Sequence, residues 1–362
     1  MWVLMLAPHT RGIGIHPTLY NRAMSKRILI VRTSSLGDLV HTLPAITDIA
    51  RHVPQAQIDW VAEESFAEIP AWHPAVHEVI PVAHRRWRKH WWAGDTRKQR
   101  AALRAALQAR QYDIVLDLQG LMKSIWIVRQ TRGTRHGLDL RSAREPLASL
   151  FYDVRHTVKF WQPAVIRHRT LAAAALGYTV QGAPDFGLQA LAGQPVDPPY
   201  AVIMPSASRD DKLWPAQDWR AVMDRLREHG LALRLLAGNP DETRRAQELI
   251  TGMPDAQVLP RMSLTDIARE LAGARIMVGL DSGLTHLSAG LGRPTIGIYK
   301  ASTPVRTPLQ GSAGTYTASL GERGHAPSAT TVLSAVEQAL SHAGNPVASP
   351  TLDQPAYNQN PT

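Results

Sequence analysis

The stretch RILIVRTSSLGDLVHTLPA, residues 27–45, decides the fold. Residues 28–31 are Ile, Leu, Ile and Val, a run typical of a strand buried on both faces of a parallel sheet. A turn of small polar residues follows, and apolar residues then recur at helical spacing. A strand that passes through such a turn into a helix is typical of a parallel α/β domain.

The same alternation continues to about residue 183 and begins again at residue 200. Further strands are predicted over 57–62, 77–82, 113–118, 200–205, 231–236, 276–280 and 294–299. Helices are predicted over 96–110, 164–176, 214–228, 242–250 and 264–271, with a last one carrying Val332, Val336 and Leu340. Each half therefore resembles a doubly wound α/β unit.

A segment rich in proline and glycine separates the two halves. Residues 184–199 hold four prolines and two glycines, which resist both helix and interior strand, so this segment is a predicted linker. The predicted organisation is an extension over 1–23 outside the fold, a first domain over 24–183, the linker, a second domain over 200–343 and a disordered polar tail over 344–362.

Composition excludes several classes of protein. The chain has 362 residues, which is roughly two domains at about 150 each, and no cysteine. A disulfide framework, a thiolate nucleophile and a Cys-ligated metal are therefore excluded, and the cytoplasm is the expected location. The net charge of +10 indicates an anionic partner. No apolar run approaches the length of a membrane-spanning helix.

Common nucleotide and metal motifs are missing from the strand ends. Neither G-x-G-x-x-G nor G-x-x-x-x-G-K-[ST] follows a predicted strand, H-E-x-x-H does not occur, and the histidines are scattered. No metal site is expected. Any nucleotide must be bound by other chemistry.

Three strand-end turns carry candidate functional residues. In the first domain, Asp38 is either a helix cap or a general base aimed into the cleft between the domains. In the second, the turn from Ser206 through Ser208 to Lys212 suits either a phosphate or a solvated loop. The turn Asp281 to Gly283, with His286 one turn into the helix, is either a simple cap or a close approach for a phosphate.

The run Arg85 to Trp92 interleaves cations with tryptophan. It fits a solvated basic face, a nucleic-acid patch with base stacking, or a surface for anionic lipid head groups. The run alone does not choose among the three.

These segments together resemble the lipopolysaccharide heptosyltransferases, glycosyltransferase family 9. The resemblance spans residues 24–342 and rests on T-S-S-L-G-D with H-T-L-P-A (33–45), Q-G-L-x-K-S (119–124), R-D-D-K-x-W-P (209–215) and D-S-G-L-T-H (281–286). R-R-W-R-K (85–89) and A-R-E-P-L-A-S-L-F-Y (143–152) resemble the heptosyltransferase I subfamily.

The resemblance implies a GT-B fold, in which two Rossmann-like domains face each other across a cleft. It further implies an inverting transfer of L-glycero-D-manno-heptose from ADP-heptose to Kdo2-lipid A, at the cytoplasmic face of the inner membrane, with no cofactor. The peripheral contact would be with the anionic membrane surface, and no nucleic acid is expected.

The resemblance also implies roles for individual residues. Asp38 would be the base, and Lys212 would stabilise the departing phosphate in place of a metal. Glu242 would bind the ribose hydroxyls and Met262 would lie near adenine. The implied donor set is Ser206, Ser208, Lys212, Glu242, Met262, Asp281, Ser282, Gly283 and His286. The implied acceptor set is Arg85, Arg86, Lys89, Lys123 and Arg144.

The chain departs from the family pattern in two places. Ala207 stands where relatives have a threonine, so one hydroxyl contact is lost. The loop 300–303 is Lys-Ala-Ser-Thr instead of the usual Gly-Pro-Thr turn. Two alternatives stay open: another nucleotide-sugar transferase or epimerase of the same fold, and a nucleic-acid-binding protein that uses the run Arg85 to Trp92.

Overall fold

The computed structural model describes residues 26–191, 193, 196–206 and 210–342. The predicted extension over 1–23, the tail over 344–362 and Ser208 lie outside the described residues. Two six-stranded sheets make up the described chain, and every strand pair in them is parallel. The prediction of two doubly wound α/β domains is confirmed.

The first sheet has the order β3-β2-β1-β4-β5-β6 and the second the order β12-β11-β10-β7-β8-β9. The strands of the first are β1 Arg27–Val31, β2 Gln57–Glu63, β3 Val76–Val82, β4 Gln111–Asp117, β5 Arg132–Leu138 and β6 Val154–His156. Those of the second are β7 Tyr200–Met204, β8 Ala232–Leu235, β9 Ala256–Val258, β10 Ile276–Leu280, β11 Thr295–Ile298 and β12 Thr317–Leu320.

Helices cover both faces of each sheet, which is why the central strands are continuous apolar runs. Those of the first domain are α1 Leu36–Val40, α2 Leu43–His52, α3 Glu68–Ala71, α4 His84–Lys89, α5 Gly94–Gln108, α6 Met122–Val128 and α7 Ala164–Leu176. Those of the second are α8 Ala216–Glu228, α9 Pro240–Leu249, α10 Leu264–Gly273, α11 Gly283–Gly290 and α12 Ala329–His342. No described helix is long and apolar enough to span a membrane.

Four strands escape prediction from the sequence, namely β5, β6, β9 and β12. Strand β5 reads RGTRHGL, in which two glycines and three basic residues replace the expected β-branched run. Strands β6 and β9 have only three residues each. Three of these strands lie at the edges of their sheets and β5 lies next to an edge, so none of them needs the continuous apolar run of a central strand.

The predicted linker begins inside the folded part of the chain. Phe186 and Leu188 are buried in a core that includes residues of both domains. Asp185 forms an ion pair with Arg51 of α2. Gly187 has φ +66° and faces the His73 ring so closely that a Cβ would lie 2.2 Å from Nε2. Residues 185–188 therefore pack inside the fold, with Asp185 and Gly187 against the first domain and Phe186 close to Gly290 of the second.

Helices α1 and α11, one from each domain, meet through two glycines. A Cβ on Gly283 would lie 2.8 Å from the backbone nitrogen of Gly37 and 2.6 Å from Leu36 Cδ2. A second contact ties Glu68 to Thr265, whose backbone N–H donates to Glu68 Oε2 at 2.9 Å. The carboxyl ends of the two sheets thus face each other across a cleft, as at the ligand sites of open α/β sheets.

Candidate active site

The first-domain turn holds Asp38 in a fixed position. One carboxylate oxygen accepts hydrogen bonds from the Ser35 N–H at 2.7 Å and the Ser35 hydroxyl at 2.9 Å. The other lies 2.6 Å from the Arg32 guanidinium. Burial favours the neutral acid, but Arg32 and the Ser35 hydrogen bonds outweigh it and hold the pKa of Asp38 well below its usual range. Asp38 therefore caps α1 and is also an ionised carboxylate at the cleft, so the two readings are compatible.

The Q-G-L-x-K-S segment supports that turn from the neighbouring strand β4. Gln119 Oε1 accepts from the Thr33 N–H at 2.9 Å and from the Thr33 hydroxyl at 2.7 Å. Lys123 donates to the Ser34 hydroxyl at 2.7 Å. Lys123 is thereby brought beside the Asp38 turn, although 89 residues separate it from Ser34 in sequence.

The second-domain turn is organised around Asp281. Its carboxylate lies 3.0 Å from Lys212 Nζ and accepts from Ser302 at 2.5 Å. His286 Nε2 lies 3.3 Å from the other oxygen. Burial opposes the charge, but His286, Ser302 and Lys212 together hold the pKa of Asp281 well below its usual range. A carboxylate engaged in this way positions Lys212 and repels a phosphate, so we infer that it does not bind one directly.

The neighbours of Asp281 in the turn, Ser282 and Gly283, also make contacts within the protein. The Ser282 hydroxyl accepts from the Thr285 N–H at 3.4 Å and caps α11. Gly283 lacks a Cβ because Gly37 and Leu36 of the other domain occupy that space. The sequence predicts that this space serves a phosphate, whereas in the structure it serves a close contact between the domains. The loop 300–303, which departs from the family's usual Gly-Pro-Thr turn, supplies Ser302 to Asp281, and Lys300 donates to the Leu213 carbonyl at 2.9 Å.

A pair of histidines, His41 and His286, joins the two turns. Only His286 is among the residues predicted from the sequence. The rings of His41 and His286 meet edge to face with centroids 4.5 Å apart. Both ring nitrogens of His41 are buried without a hydrogen-bond partner among the described residues. Burial first, then His286, lowers the pKa of His41 well below its usual value. The sequence position of His41 could have marked it as a site residue, because it follows Asp38 by one helical turn.

The remaining donor candidates lie along the same edge of the second sheet. Ser206 follows β7 and is buried. Glu242 is buried and accepts from the Gly238 N–H at 2.7 Å and from the Asn239 amide at 2.9 Å, while Asn239 caps α9. Met262 is half-buried against the shared core, between β9 and α10.

The acceptor candidates differ in their availability. Arg86 makes a two-point ion pair with Glu64, at 3.0 and 2.9 Å, and the Arg85 guanidinium lies 4.9 Å from the centre of the Phe66 ring. Lys89 and Arg144 are exposed. Arg306 of the second domain lies near Arg144 and is not among the residues predicted from the sequence. Burial first, then repulsion by Arg144, lowers the pKa of Arg306.

The alternation of cations and tryptophans over 85–92 does not form one stacking surface. Trp87 is buried in the core and donates to Gln99 at 2.8 Å. Of the three tryptophans in this run, only Trp91 and Trp92 are exposed. A nucleic-acid patch that stacks bases on all three rings is therefore excluded by the structure.

The structure defines a class of protein. Its two parallel-sheet α/β domains face each other across a cleft, which is the GT-B fold of glycosyltransferases. The sequence model of glycosyltransferase family 9 (heptosyltransferase) matches residues 100–335. The chain belongs to this family and is a glycosyltransferase.

Curated relatives support the same assignment. The chain is 48% identical over 283 residues to lipopolysaccharide heptosyltransferase 1 of Escherichia coli K12, covering 77% of this chain and 89% of the relative. It is 47% identical over 282 residues to the enzyme of the same name from Pseudomonas aeruginosa, covering 77% and 79%.

Among solved structures, E. coli heptosyltransferase WaaC with ADP is similar at a TM-score of 0.81 and 43% identity, covering 86% of this chain and 99% of that one. WaaC with ADP-2-deoxy-2-fluoro heptose gives a TM-score of 0.77, covering 86% and 98%. A UDP-N-acetylglucosamine 2-epimerase from Listeria monocytogenes, at a TM-score of 0.51 and 14% identity, shares the fold alone.

Proposed function

We propose that this glycosyltransferase moves L-glycero-D-manno-heptose from ADP-heptose to a Kdo hydroxyl of Kdo2-lipid A, in the synthesis of the lipopolysaccharide inner core. The observation that carries the proposal is the contact between Gly37 and Gly283, which brings the Asp38 turn against the turn that holds Lys212. Two relatives near half identity bear the name lipopolysaccharide heptosyltransferase 1. The solved WaaC structures contain ADP and an ADP-heptose analogue.

On the donor side, Lys212 is the cation for the diphosphate, and its charge is directed by Asp281 at 3.0 Å. The first-turn N–H groups of α11 add the positive end of a helix dipole. Ser206 and Ser208 contribute hydroxyls, Glu242 takes the ribose and Met262 lies beside adenine. Lys212 stabilises charge that develops on the leaving ADP, which is worth more in the transition state than in the ground state.

On the acceptor side, Asp38 takes the proton of the Kdo hydroxyl. The hydroxyl oxygen forms a bond to the anomeric carbon as the bond from that carbon to the ADP oxygen breaks, and attack from the opposite face inverts the centre. Arg32 makes Asp38 a weak base. That is sufficient because the attacking hydroxyl becomes acidic as its new bond forms to an oxocarbenium-like carbon.

The anionic sugar and phosphates of the acceptor are met by Arg85, Lys89, Lys123 and Arg144. Both carboxylate oxygens of Glu64 already bind the Arg86 guanidinium. Arg86 can therefore bind the acceptor only if its ion pair with Glu64 breaks. A lipid-anchored acceptor places the enzyme at the cytoplasmic face of the inner membrane as a peripheral protein. The net charge of +10 favours that anionic surface.

The test is incubation of the purified protein with ADP-heptose and Kdo2-lipid A, followed by mass spectrometry of the lipid. The expected product is the lipid with one added heptose and one ADP released per transfer. An ADP-sugar of altered stereochemistry in the absence of lipid would instead show an epimerase. Unmodified lipid with intact donor would contradict the proposal.

A further inference from the structure

Exposed large apolar side chains are concentrated in the first domain. Eight of the ten among the described residues lie between positions 91 and 161, and the other two are Val196 and Val305. Trp161 is the most exposed, at 69%, and the next four form two pairs that are close in sequence. Trp91 and Trp92 are 61% and 68% exposed, and Leu147 and Leu150 are 64% and 56% exposed. Such clustering on one domain marks an interaction surface, whereas single exposed apolar residues need no explanation.

Topology places both pairs at the same edge of the first sheet. The Trp pair follows β3 and α4, and the Leu pair lies in a short 3-10 helix, Pro146–Phe151, that follows β5. The carboxyl ends of parallel strands lie at one edge, and β1, which leads to Asp38, lies between β3 and β5 in the sheet order. The two apolar pairs therefore flank the mouth of the cleft on opposite sides.

A hydrogen bond beside the 3-10 helix links the segment of the Leu pair to the site. The Met122 N–H, at the start of α6, donates to the Glu145 carboxylate at 2.7 Å. The next residue, Lys123, reaches Ser34 in the Asp38 turn. The 3-10 helix thus begins one residue beyond a hydrogen bond that anchors it to the acceptor side of the cleft.

The charges around both pairs are mainly positive, although Asp95, three residues beyond Trp92, is an exposed acid. Arg88 and Lys89 precede the Trp pair, and Arg141, Arg144 and Arg155 surround the Leu pair. These five cations are exposed, and among the described residues none pairs with a carboxylate. The two acids near the Leu pair are engaged: Glu145 accepts from the Met122 N–H, and Asp153 binds Arg135 at 3.0 Å. Free cations beside exposed Trp and Leu are complementary to an anionic lipid surface, with Trp at the interfacial depth.

We infer that Trp91, Trp92, Leu147 and Leu150 form a membrane-docking rim that enters the head-group region of an anionic phospholipid bilayer. This inference rests on the proposed function, because a lipid-anchored acceptor must enter the cleft from the bilayer plane. With one pair on each side of the Asp38 turn, docking directs the cleft mouth toward the membrane. The second domain, which carries only Val305 of the exposed set, stays in the aqueous phase.

The experiment measures partitioning of the full chain onto vesicles of phosphatidylcholine alone and of phosphatidylcholine mixed with phosphatidylglycerol. We expect binding to the anionic vesicles that weakens as salt is raised. Trp91→Ser with Trp92→Ser, and separately Leu147→Ser with Leu150→Ser, should each weaken partitioning by roughly tenfold or more, since each removes two apolar anchors. Val305→Ser is the matched control and should bind as the unchanged chain does.

Activity separates this inference from the proposed function. The rim variants should keep transfer to acceptor dispersed in detergent and lose transfer to acceptor embedded in vesicles. Equal vesicle binding by variants and unchanged chain would overturn the rim. So would a concentration-dependent dimer that the same substitutions abolish without vesicle binding, because the rim would then be a contact between copies. Absence of transfer in both the detergent and the vesicle assay would contradict the proposed function. The docking rim would then be tested by vesicle binding alone.

Discussion

Asp38 and Asp281 both follow a central strand of their sheet, β1 and β10, yet their surroundings differ. Each follows the central region of its sheet at a turn into a helix, and each has a pKa held well below its usual range. The Asp38 side chain is 38% exposed, however, and that of Asp281 only 14%. Asp38 is held by its own turn through Ser35 and Arg32, whereas Asp281 holds groups from three separate segments, namely Lys212, His286 and Ser302.

A carboxylate at a turn between a strand and a helix can therefore have either of two roles, depending on what surrounds it. An ionised carboxylate that is fixed by its own turn but open to the cleft can receive a proton from a substrate. A carboxylate enclosed by cations and hydroxyls from distant segments can only position them. The following predictions test that division, beginning with the largest expected effect.

Asp38→Asn should abolish most of the activity while leaving the fold intact. Asn keeps an oxygen that can accept from the Ser35 N–H, so we expect the free energy of unfolding to fall by less than about 1 kcal/mol. It cannot accept the proton, so kcat should fall by about 10²- to 10⁴-fold with both substrates still bound. Steady-state kinetics and thermal unfolding check both. Retained turnover with a normal Tm would make Asp38 a cap only.

Lys212→Ala should weaken use of the donor. The Nζ charge is the cation that Asp281 directs, and removing one transition-state contact of this kind typically reduces kcat/KM by about 10²- to 10³-fold. The readout is kcat/KM with ADP-heptose varied.

Asp281→Asn is the matched control for Lys212→Ala, because it removes the charge that orients Lys212 but retains an oxygen for Ser302. Its loss should be smaller, and the double variant should lose little beyond Lys212→Ala if both act through one group. Fully additive losses would contradict a positioning role for Asp281.

Gly283→Ala should disturb the contact between the two turns. Its Cβ would lie 2.8 Å from the Gly37 backbone nitrogen, which cannot move without shifting α1. Gly37→Ala is the matched control, since its Cβ would lie 3.3 Å from the Gly283 Cα. We expect a several-fold greater loss of kcat for Gly283→Ala than for Gly37→Ala, measured with both substrates saturating. Equal losses would show that the contact does not set the geometry of the reaction.

The smallest effect concerns pH and the histidines behind the Asp38 turn. Burial lowers the pKa of His168 to about 3, and its Nδ1 lies 3.2 Å from the Thr42 hydroxyl. In the unfolded chain the pKa is about 6.5, so below that pH the unfolded state binds a proton that the folded state refuses. Stability should therefore fall with acidification between about pH 6.5 and 3, at up to about 1.4 kcal/mol per pH unit from this group. His168→Gln should flatten that slope in urea titrations, and an unchanged slope would exclude His168 as its source.

The sequence pattern determined the class of fold because each strand and helix of a parallel α/β domain has a recognisable residue pattern within its own segment. Strands β1 and β10 are continuous apolar runs, and each ends in a polar turn that opens a helix. Strand β5 could not be read in the same way, since its glycines and arginines match no strand pattern and its pairing with β4 is a contact between distant segments.

For the site, the sequence by itself determined which residues carry charge and hydroxyl groups at strand ends, because chemistry and spacing along one segment are local properties. Only the tertiary structure decided what each of them does. Gly283 makes room for Gly37 of the other domain, Ser302 bonds to Asp281, and His41 meets His286. Each of these contacts joins separate segments of the chain. The first and third depend on how the two domains pack and the second on how the second domain folds, and no local pattern of residues encodes either.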